Sequence, residues 1–235
     1  MNKEASKLTS IVSESGQVPE RRSLSAEAAN ALRELILLEK LAPGTPVPER
    51  DLAEGLRISR TPLKDALRIL ETEGLIEYGP TRRPRVADPS LEEIEQNILV
   101  LSALEALAGE LACLAATDKD IAEIQALETS MHALPPNSTA LDFFHLDMEF
   151  HARIVAASGN EPLAATHKQY NARLWRARFM SSRQEDRRSN TLAEHGAITK
   201  ALVARDAAAT AIELRKHLKS TIVNLRQMRL KDAET

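Results

Sequence analysis

The first third of the chain places short apolar repeats between breaks rich in proline and glycine, which favours several short helices. Leucine and isoleucine recur there at helical spacing, and the segment 43–48 (PGTPVP) interrupts the periodicity with three prolines. Residues 75–78 and 85–87 predict two short strands, joined by a hairpin with a basic tip. The three predicted helices span about residues 24–39, 49–56 and 59–73.

After Asp88-Pro89-Ser90 the pattern changes to one long amphipathic helix after another. The first of these carries apolar residues every three or four positions from Leu91 to Leu111. We therefore expect a mainly α protein with a flexible arm over 1–22, a small helical domain with a β-hairpin over 23–88, and a six-helix antiparallel bundle over 89–235. The five later helices of the bundle are predicted over about 119–132, 140–157, 161–183, 190–204 and 207–230.

The composition agrees with a helical protein that folds around a core. Of the 235 residues, 43% are hydrophobic and 3% are aromatic, while the strong helix formers Ala and Leu are frequent. Cys113 is the one cysteine, so an intrachain disulfide is impossible, and a small buried side chain is favoured over a reactive thiol. The sequence shows neither an apolar signal core nor a run of about 18 apolar residues, and we expect a soluble cytoplasmic protein without a membrane partner.

Charge is distributed unevenly along the chain. The formal net charge is −3, but residues 57–86 contain seven basic and four acidic residues. In the third predicted helix, Arg60, Lys64 and Arg68 lie four residues apart, opposite an apolar face. An ordinary solvated helix face has the same appearance. Here, however, a short helix and a tight turn precede it and a basic hairpin follows, and this combination predicts a winged helix-turn-helix that binds DNA.

In such a motif the second helix enters the major groove with its N-terminal residues first. Arg60 and Lys64 are then predicted to contact base edges, where basic side chains pair with guanine. Ser59 and Thr61 lie at the start of the same helix, beside backbone amides that bind phosphate. The hairpin adds a further basic group that would contact a phosphate strand or the minor groove: Arg82, Arg83 and Arg85.

From about Leu32 to Val86 the sequence resembles the GntR family of bacterial regulators. The resemblance implies that Arg50, Arg60 and Lys64 contact DNA. Lys64 stands where arginine is usual, so a point charge replaces a bidentate contact with a base. Pro84 stands near a position where the wing usually has glycine, which implies a stiffer wing tip. The motifs that carry the resemblance are Pro43-Gly44, Glu49-Arg50-Asp51-Leu52-Ala53, Ser59-Arg60-Thr61-Pro62, Ala66-Leu67 and Glu73-Gly74-Leu75-Ile76.

A second group of polar residues lies on the apolar sides of helices in the C-terminal half. Asp147 and His151 are four residues apart on one helix, and His195 and His217 lie on two later helices. A bundle can bring this carboxylate and these three imidazoles to one point, as a divalent metal of borderline softness requires: Zn²⁺, Ni²⁺, Fe²⁺ or Mn²⁺. From spacing alone, hydrogen-bonded core histidines remain the more common explanation.

Residues 91–230 resemble the FCD ligand-binding domain of the FadR subfamily of GntR regulators, and six helices match its VanR-type group. The resemblance implies that Asp147, His151, His195 and His217 bind a divalent metal, which helps to hold a small carboxylate effector. An arginine is usual four residues before Glu105, but this position is Leu101. Asn160 and an arginine of a later helix are candidate effector contacts, with a solvated basic face as the alternative for Arg173, Arg176 and Arg178. The matching motifs are Asp147-Met148-Glu149-Phe150-His151, Ser158-Gly159-Asn160, Glu194-His195, Asp206 and His217-Leu218.

The two halves together predict a ligand-responsive transcriptional regulator, most often a repressor in this family. It would bind a two-fold symmetric double-stranded DNA operator as a homodimer and respond to a small organic acid. A metal-dependent hydrolase with an accessory DNA-binding module is one alternative, because a metal with an open position can activate water. We do not expect an enzyme, since no further carboxylate or nucleophile completes a catalytic set. A purely structural metal that ties three helices together is the other alternative.

Overall fold

The computed structural model describes residues 24–135, 137–183 and 185–233, so the predicted arm over 1–22 lies outside the described residues. Nine helices and two strands occupy the described ranges, and the mainly α fold class is confirmed. The first domain contains α1 (Leu24–Leu37), α2 (Glu49–Gly55), α3 (Arg60–Thr72), β1 (Ile76–Tyr78) and β2 (Pro84–Val86). The second contains α4 (Leu91–Ala115), α5 (Asp118–His132), α6 (Ala140–Ala157), α7 (Glu161–Ser182), α8 (Glu185–Val203) and α9 (Ala207–Ala233).

The first domain is a winged helix-turn-helix. Its core lies where the inner faces of α1 and α3 meet, and it includes the fully buried Leu32, Leu63 and Leu67. The strands β1 and β2 pair in antiparallel register, with Ile76 opposite Val86. On the other edge of β2, the amide of Val86 donates to the carbonyl of Thr45 at 2.9 Å. The proline-rich segment thus covers the outer edge of the hairpin.

Short local motifs fix the starts of three helices in the second domain. Each of α4, α5 and α6 begins with a capping box, in which a hydroxyl accepts from the backbone three residues on and an acidic side chain accepts in return. The helix α8 begins five residues earlier than the predicted residue 190. Tertiary packing accounts for this extra turn, since Arg188 lies 4.9 Å from the ring centre of Phe143 on α6. The capping pairs are Ser90 with Glu93, Thr117 with Asp120 and Thr139 with Asp142.

The helix α4 is at the centre of the six-helix domain and packs most extensively along α9. The two helices approach closely at Gly109, where an added Cβ would lie 2.5 Å from a methyl carbon of Leu214. One turn further along, Cys113 is buried with its sulfur 3.3 Å from the hydroxyl of Thr210, in agreement with the small buried side chain predicted. The site described below depends on this pair of helices, because both contribute to it.

Among the described residues, α4 is also the one helix whose length and composition would suffice to cross a membrane. The central helix of a water-soluble bundle gives the same signal, and here the inner side of α4 is buried by the other helices. The buried Glu105 lies in the middle of this helix and has charged partners on two neighbouring helices. Such a residue fits a helix packed inside a protein.

The two domains contact each other through α1 and α7. Leu37 packs with Phe144, Met148 and Phe179 of the helical domain. Beside this apolar contact, the carboxylate of Glu39 pairs with Arg176 at 2.9 Å and with Arg183 at 3.4 Å. The helix α7 is therefore the main element of the second domain in contact with the first.

Candidate metal centre and nucleic-acid interface

One carboxylate and three imidazoles meet in the core of the second domain. Asp147 and His151 lie one turn apart on α6, His195 comes from α8, and His217 comes from α9. One possible ligand atom of each residue lies within 4.8 Å of those of the other three, and all four residues are buried. The structure thus brings together the four residues that the sequence singled out, and the cluster has the composition of a divalent-metal site.

Two of the rings have a carboxylate close to the nitrogen that faces away from the cluster. Nδ1 of His217 donates to Oε2 of Glu194 at 2.8 Å, whereas Nδ1 of His151 lies 2.8 Å from Oε2 of Glu105 without hydrogen-bond geometry. In both rings the other nitrogen, Nε2, is left to bind an ion. Carboxylate–histidine pairs of this kind orient metal ligands and raise their basicity.

Several atoms at the centre of the cluster lack a hydrogen-bond partner. These are Oδ1 of Asp147, both ring nitrogens of His151 and both ring nitrogens of His195. Oδ1 of Asp147 lies 3.1 Å from Nε2 of His195 and 3.4 Å from Nε2 of His151, without hydrogen-bond geometry. An unpaired buried polar group costs roughly 1–3 kcal/mol. A metal ion bound to these lone pairs would remove that cost, so the residues present fit a metal.

The protonation states also suit metal binding. Burial lowers the pKa of His195 to about 4, so this ring is neutral at neutral pH and has a free lone pair. Burial alone would raise the pKa of Asp147, but the adjacent His151 and His195 rings hold it well below its usual value. Burial alone would lower the pKa of His151, but the Glu105 and Asp147 carboxylates together raise it above its ordinary value. A metal ion in the cluster would therefore meet the ionised carboxylate of Asp147. At His151 it would compete with a proton for the ring nitrogen.

Glu105 forms a second layer of the site, behind the four candidate ligands. From the sequence, this residue served only to locate the position of Leu101. Its carboxylate lies 3.0 Å from Nη1 of Arg178 and 3.2 Å from Nε2 of His167. Burial would raise its pKa, but the nearby His151 ring and the Arg178 guanidinium hold it well below the usual range. A sequence signal for Glu105 did exist, since it is a lone carboxylate in the apolar stripe of α4.

A narrow cavity of about 20 Å³ adjoins the cluster and is lined in part by Asp147, His217 and Arg178. The three predicted effector contacts lie elsewhere. Asn160 caps α7, where its side chain accepts from the amide of Leu163 at 3.0 Å. Arg173 lies against Gly74 of the first domain, and Arg176 pairs with Glu39. The arginine of α7 that reaches the cavity is Arg178.

All nine predicted DNA contacts are exposed on the first domain. Ser59 stands at the N-cap of α3 without a side-chain capping bond, so the first amides of the helix are available to a phosphate. Lys64 lies 4.0 Å from Glu49, whereas Arg85 is paired across the hairpin with Glu77 at 2.7 Å. Pro84 is buried in β2 rather than placed at the wing tip. The nine residues are Arg50, Ser59, Arg60, Thr61, Lys64, Arg68, Arg82, Arg83 and Arg85.

The two halves of the chain match two family models. Residues 24–86 match the bacterial regulatory proteins of the gntR family, and residues 98–220 match the FCD domain. The chain belongs to the GntR family, in its FCD-containing FadR subfamily. It is therefore a DNA-binding transcriptional regulator and not an enzyme, which confirms the two corresponding predictions.

Two transcriptional regulators are similar to this chain over most of their length. The Escherichia coli transcriptional repressor RspR is 25% identical over 194 residues, covering 83% of this chain and 85% of that protein. The Escherichia coli Uxu operon regulator is 29% identical over 218 residues, covering 83% of each. The solved structure of E. coli McbR/YncC has the same fold, with a TM-score of 0.76 at 21% identity over 88% of this chain and 99% of that one.

Proposed function

We propose that this GntR regulator is a repressor whose helical domain binds a divalent metal and a small carboxylate effector. The observation that carries the proposal is the buried cluster of Asp147, His151, His195 and His217, with ligand atoms that lack hydrogen-bond partners. One relative, RspR, is a transcriptional repressor, which supports repression rather than activation. The protein would act in the bacterial cytoplasm, where its operator DNA lies.

Three nitrogen ligands and one oxygen ligand suit Zn²⁺, Ni²⁺, Fe²⁺ or Mn²⁺. When bound, the metal would supply a positive centre that attracts the carboxylate of an effector. Two carboxylates of the chain stand behind ligand rings: Glu194 accepts a hydrogen bond that orients His217, and Glu105 lies 2.8 Å from Nδ1 of His151. The cavity beside Asp147 and His217 is the place where an effector would meet the metal.

The DNA-binding unit would be a homodimer on a two-fold symmetric operator. An apolar surface on α4, formed by Leu99, Val100, Leu107 and Leu114, supports this. These side chains are 40–80% exposed and lie on one side of the helix. Exposed leucines in such a row are typical of a subunit interface, and a second copy of the chain is the proposed occupant.

The helix α7 offers a physical connection between effector and operator. It contributes Arg178 to the cavity, and its Arg176 pairs with Glu39 of the first domain. A ligand that moves α7 would therefore change how the DNA-binding domain is held. Coupling between two such sites typically amounts to about 1–3 kcal/mol, or roughly 5- to 150-fold in affinity.

Substitution of His195 tests the metal proposal. His195→Ala removes one of four ligands, and we expect elemental analysis to show a large loss of bound metal. Operator binding without effector should persist, because the first domain has its own core. The control is His145→Ala, which removes an exposed histidine of α6. Full metal occupancy in His195→Ala would contradict the assignment.

The complete set of four protein ligands also fits a metal that only stabilises the fold. Chelation of the metal separates the two roles. A sensor should stay folded, with its far-UV circular dichroism retained and its response to small acids lost. Cooperative unfolding on chelation would instead favour the structural role.

A further inference from the structure

The helix α3, which carries the predicted base contacts, ends in a tight turn at Gly74. The amide of Leu75 donates to the carbonyl of Leu70, and the amide of Gly74 donates to that of Glu71, both at 2.9 Å. This pair of hydrogen bonds is a Schellman motif. Gly74 has a φ of +70°, which favours glycine, although asparagine also adopts this conformation. The turn by itself therefore does not require glycine.

The helical domain places a second demand on Gly74. A Cβ at this position would lie 2.8 Å from Cγ of Arg173 on α7, which is closer than such atoms approach in proteins. Because Cγ is near the root of the arginine side chain, it has little freedom to move aside. Gly44 offers a contrast in the same domain, since its φ is +72° but an added Cβ would have no atom within 4 Å. Arg173 thus packs directly on the end of α3.

A second connection from α7 to the end of α3 passes through α1. The guanidinium of Arg33 on α1 binds both carboxylate oxygens of Glu73, at 2.7 to 3.0 Å. The same guanidinium lies 5.8 Å from the ring centre of Trp175 on α7. Trp175 packs edge-to-face on the buried Phe144, and its indole nitrogen is buried without a hydrogen-bond partner. Ring contacts, rather than a hydrogen bond, therefore hold this side chain in place.

The rest of the junction between the two domains is partly open. One cleft of about 590 Å³ is lined in part by Gly74 and Arg173, and another of about 200 Å³ is lined in part by Glu39 and Arg176. Domains joined by a small, largely polar interface reorient unless particular side chains hold them. The orientation of α3 relative to the helical domain therefore depends on the side chains of α7 that reach the first domain.

We propose that Arg173 and Trp175 are positioning residues for operator binding, which make the protein selective for one separation of the operator half-sites. This rests on the proposed homodimer, in which the helical domains associate and α7 of each copy holds one α3. One added base pair moves a half-site by about 3.4 Å and rotates it by about 35°. A firmly held pair of α3 helices accepts one separation, whereas a released pair accepts several.

The test uses an operator that the wild type selects from random duplexes, with base pairs then added to or removed from its centre. A change of two base pairs should cost the wild type about 5- to 150-fold in affinity, as a mismatched base pair does. Arg173→Ala and Trp175→Ala each remove one contact of α7, and both variants should lose most of this discrimination. Gly74→Asn should do the same, because asparagine suits the turn but places a Cβ against Arg173.

Two further variants and a second duplex keep the result specific. Gly44→Asn introduces asparagine at a similar φ in open space, and Trp175→Phe keeps an aromatic face for Arg33, so both should retain the preference. A duplex with a single half-site should bind all variants equally, because the first domain has its own core. Preference retained in both α7 alanine variants, or weaker half-site binding by Arg173→Ala, would overturn the proposal.

Ultracentrifugation of the same proteins separates this inference from the homodimer on which it rests. A monomeric wild type that binds all separations equally would contradict the homodimer, and the role of α7 with it. A dimeric wild type whose preference for one separation survives Arg173→Ala and Trp175→Ala would contradict the role of α7 alone.

Discussion

At the scale of single residues, we expect DNA recognition to depend on a few exposed side chains at the start of α3. Arg60 is the first residue of that helix, and Lys64 lies one turn later on the same exposed side. Arg60 has the planar group that can pair with both acceptors of guanine, whereas Lys64 provides a single point charge near Glu49. We therefore expect Arg60 to contribute more to sequence discrimination than Lys64.

Arg60→Ala should reduce operator affinity by about 5- to 150-fold, since a bidentate base contact contributes about 1–3 kcal/mol. Binding to unrelated DNA should fall less, because phosphate contacts carry most of it. Fluorescence anisotropy with the operator and with a scrambled duplex measures both. Lys168→Ala, which removes an exposed charge from α7, is the control. Unchanged operator affinity in Arg60→Ala would show that α3 does not face the bases.

At the scale of elements, the close approach of α4 and α9 positions two residues of the proposed metal centre and its surroundings. Glu105 lies on α4 one turn before Gly109, and His217 lies on α9 just beyond Leu214. A Cβ at Gly109 would lie 2.5 Å from Leu214 and 2.7 Å from Thr210, so only glycine permits this spacing. The glycine therefore serves the packing of two helices and not the conformation of a turn.

Gly109→Ala should lower the free energy of unfolding by about 1–3 kcal/mol, because the added methyl group forces the two helices apart. Gly55→Ala is the matched control: it also changes a helical glycine, but an added Cβ there has no atom within 4 Å. The control should be neutral or slightly stabilising, since alanine favours the helix. Urea denaturation of both variants measures the difference, and equal stabilities would refute the packing role of Gly109.

At the scale of the whole molecule, the exposed apolar side of α4 is the surface through which we propose that two copies of the chain associate. Leu107→Glu places a charge in the middle of the proposed subunit interface, where its desolvation would oppose association. We expect the variant to be monomeric in analytical ultracentrifugation and to bind a two-fold operator much more weakly. Val203→Glu, an equivalent change at an exposed position at the end of α8, should remain dimeric. A dimeric Leu107→Glu would place the interface elsewhere.

Much of the architecture could be predicted from local pattern. The capping boxes, the proline-rich break and the spacing of apolar residues predicted the helices and the hairpin, because each signal acts within a few residues. Helix ends that depend on tertiary contact were predicted less accurately. An example is the start of α8, where Arg188 packs on Phe143. The four residues of the cluster were also identified, since polar side chains on apolar helix faces are conspicuous.

The sequence by itself determined which side chains are available: one acid and three histidines on inward faces, and a row of basic residues on α3. It did not determine which of three nearby arginines on α7 faces the cavity, because Arg173, Arg176 and Arg178 have similar local surroundings. The tertiary structure decided this, since the side chain of Arg178 meets the buried Glu105 while the other two meet the first domain. A buried charge requires a partner, and only the packing of α4 against α7 supplies it.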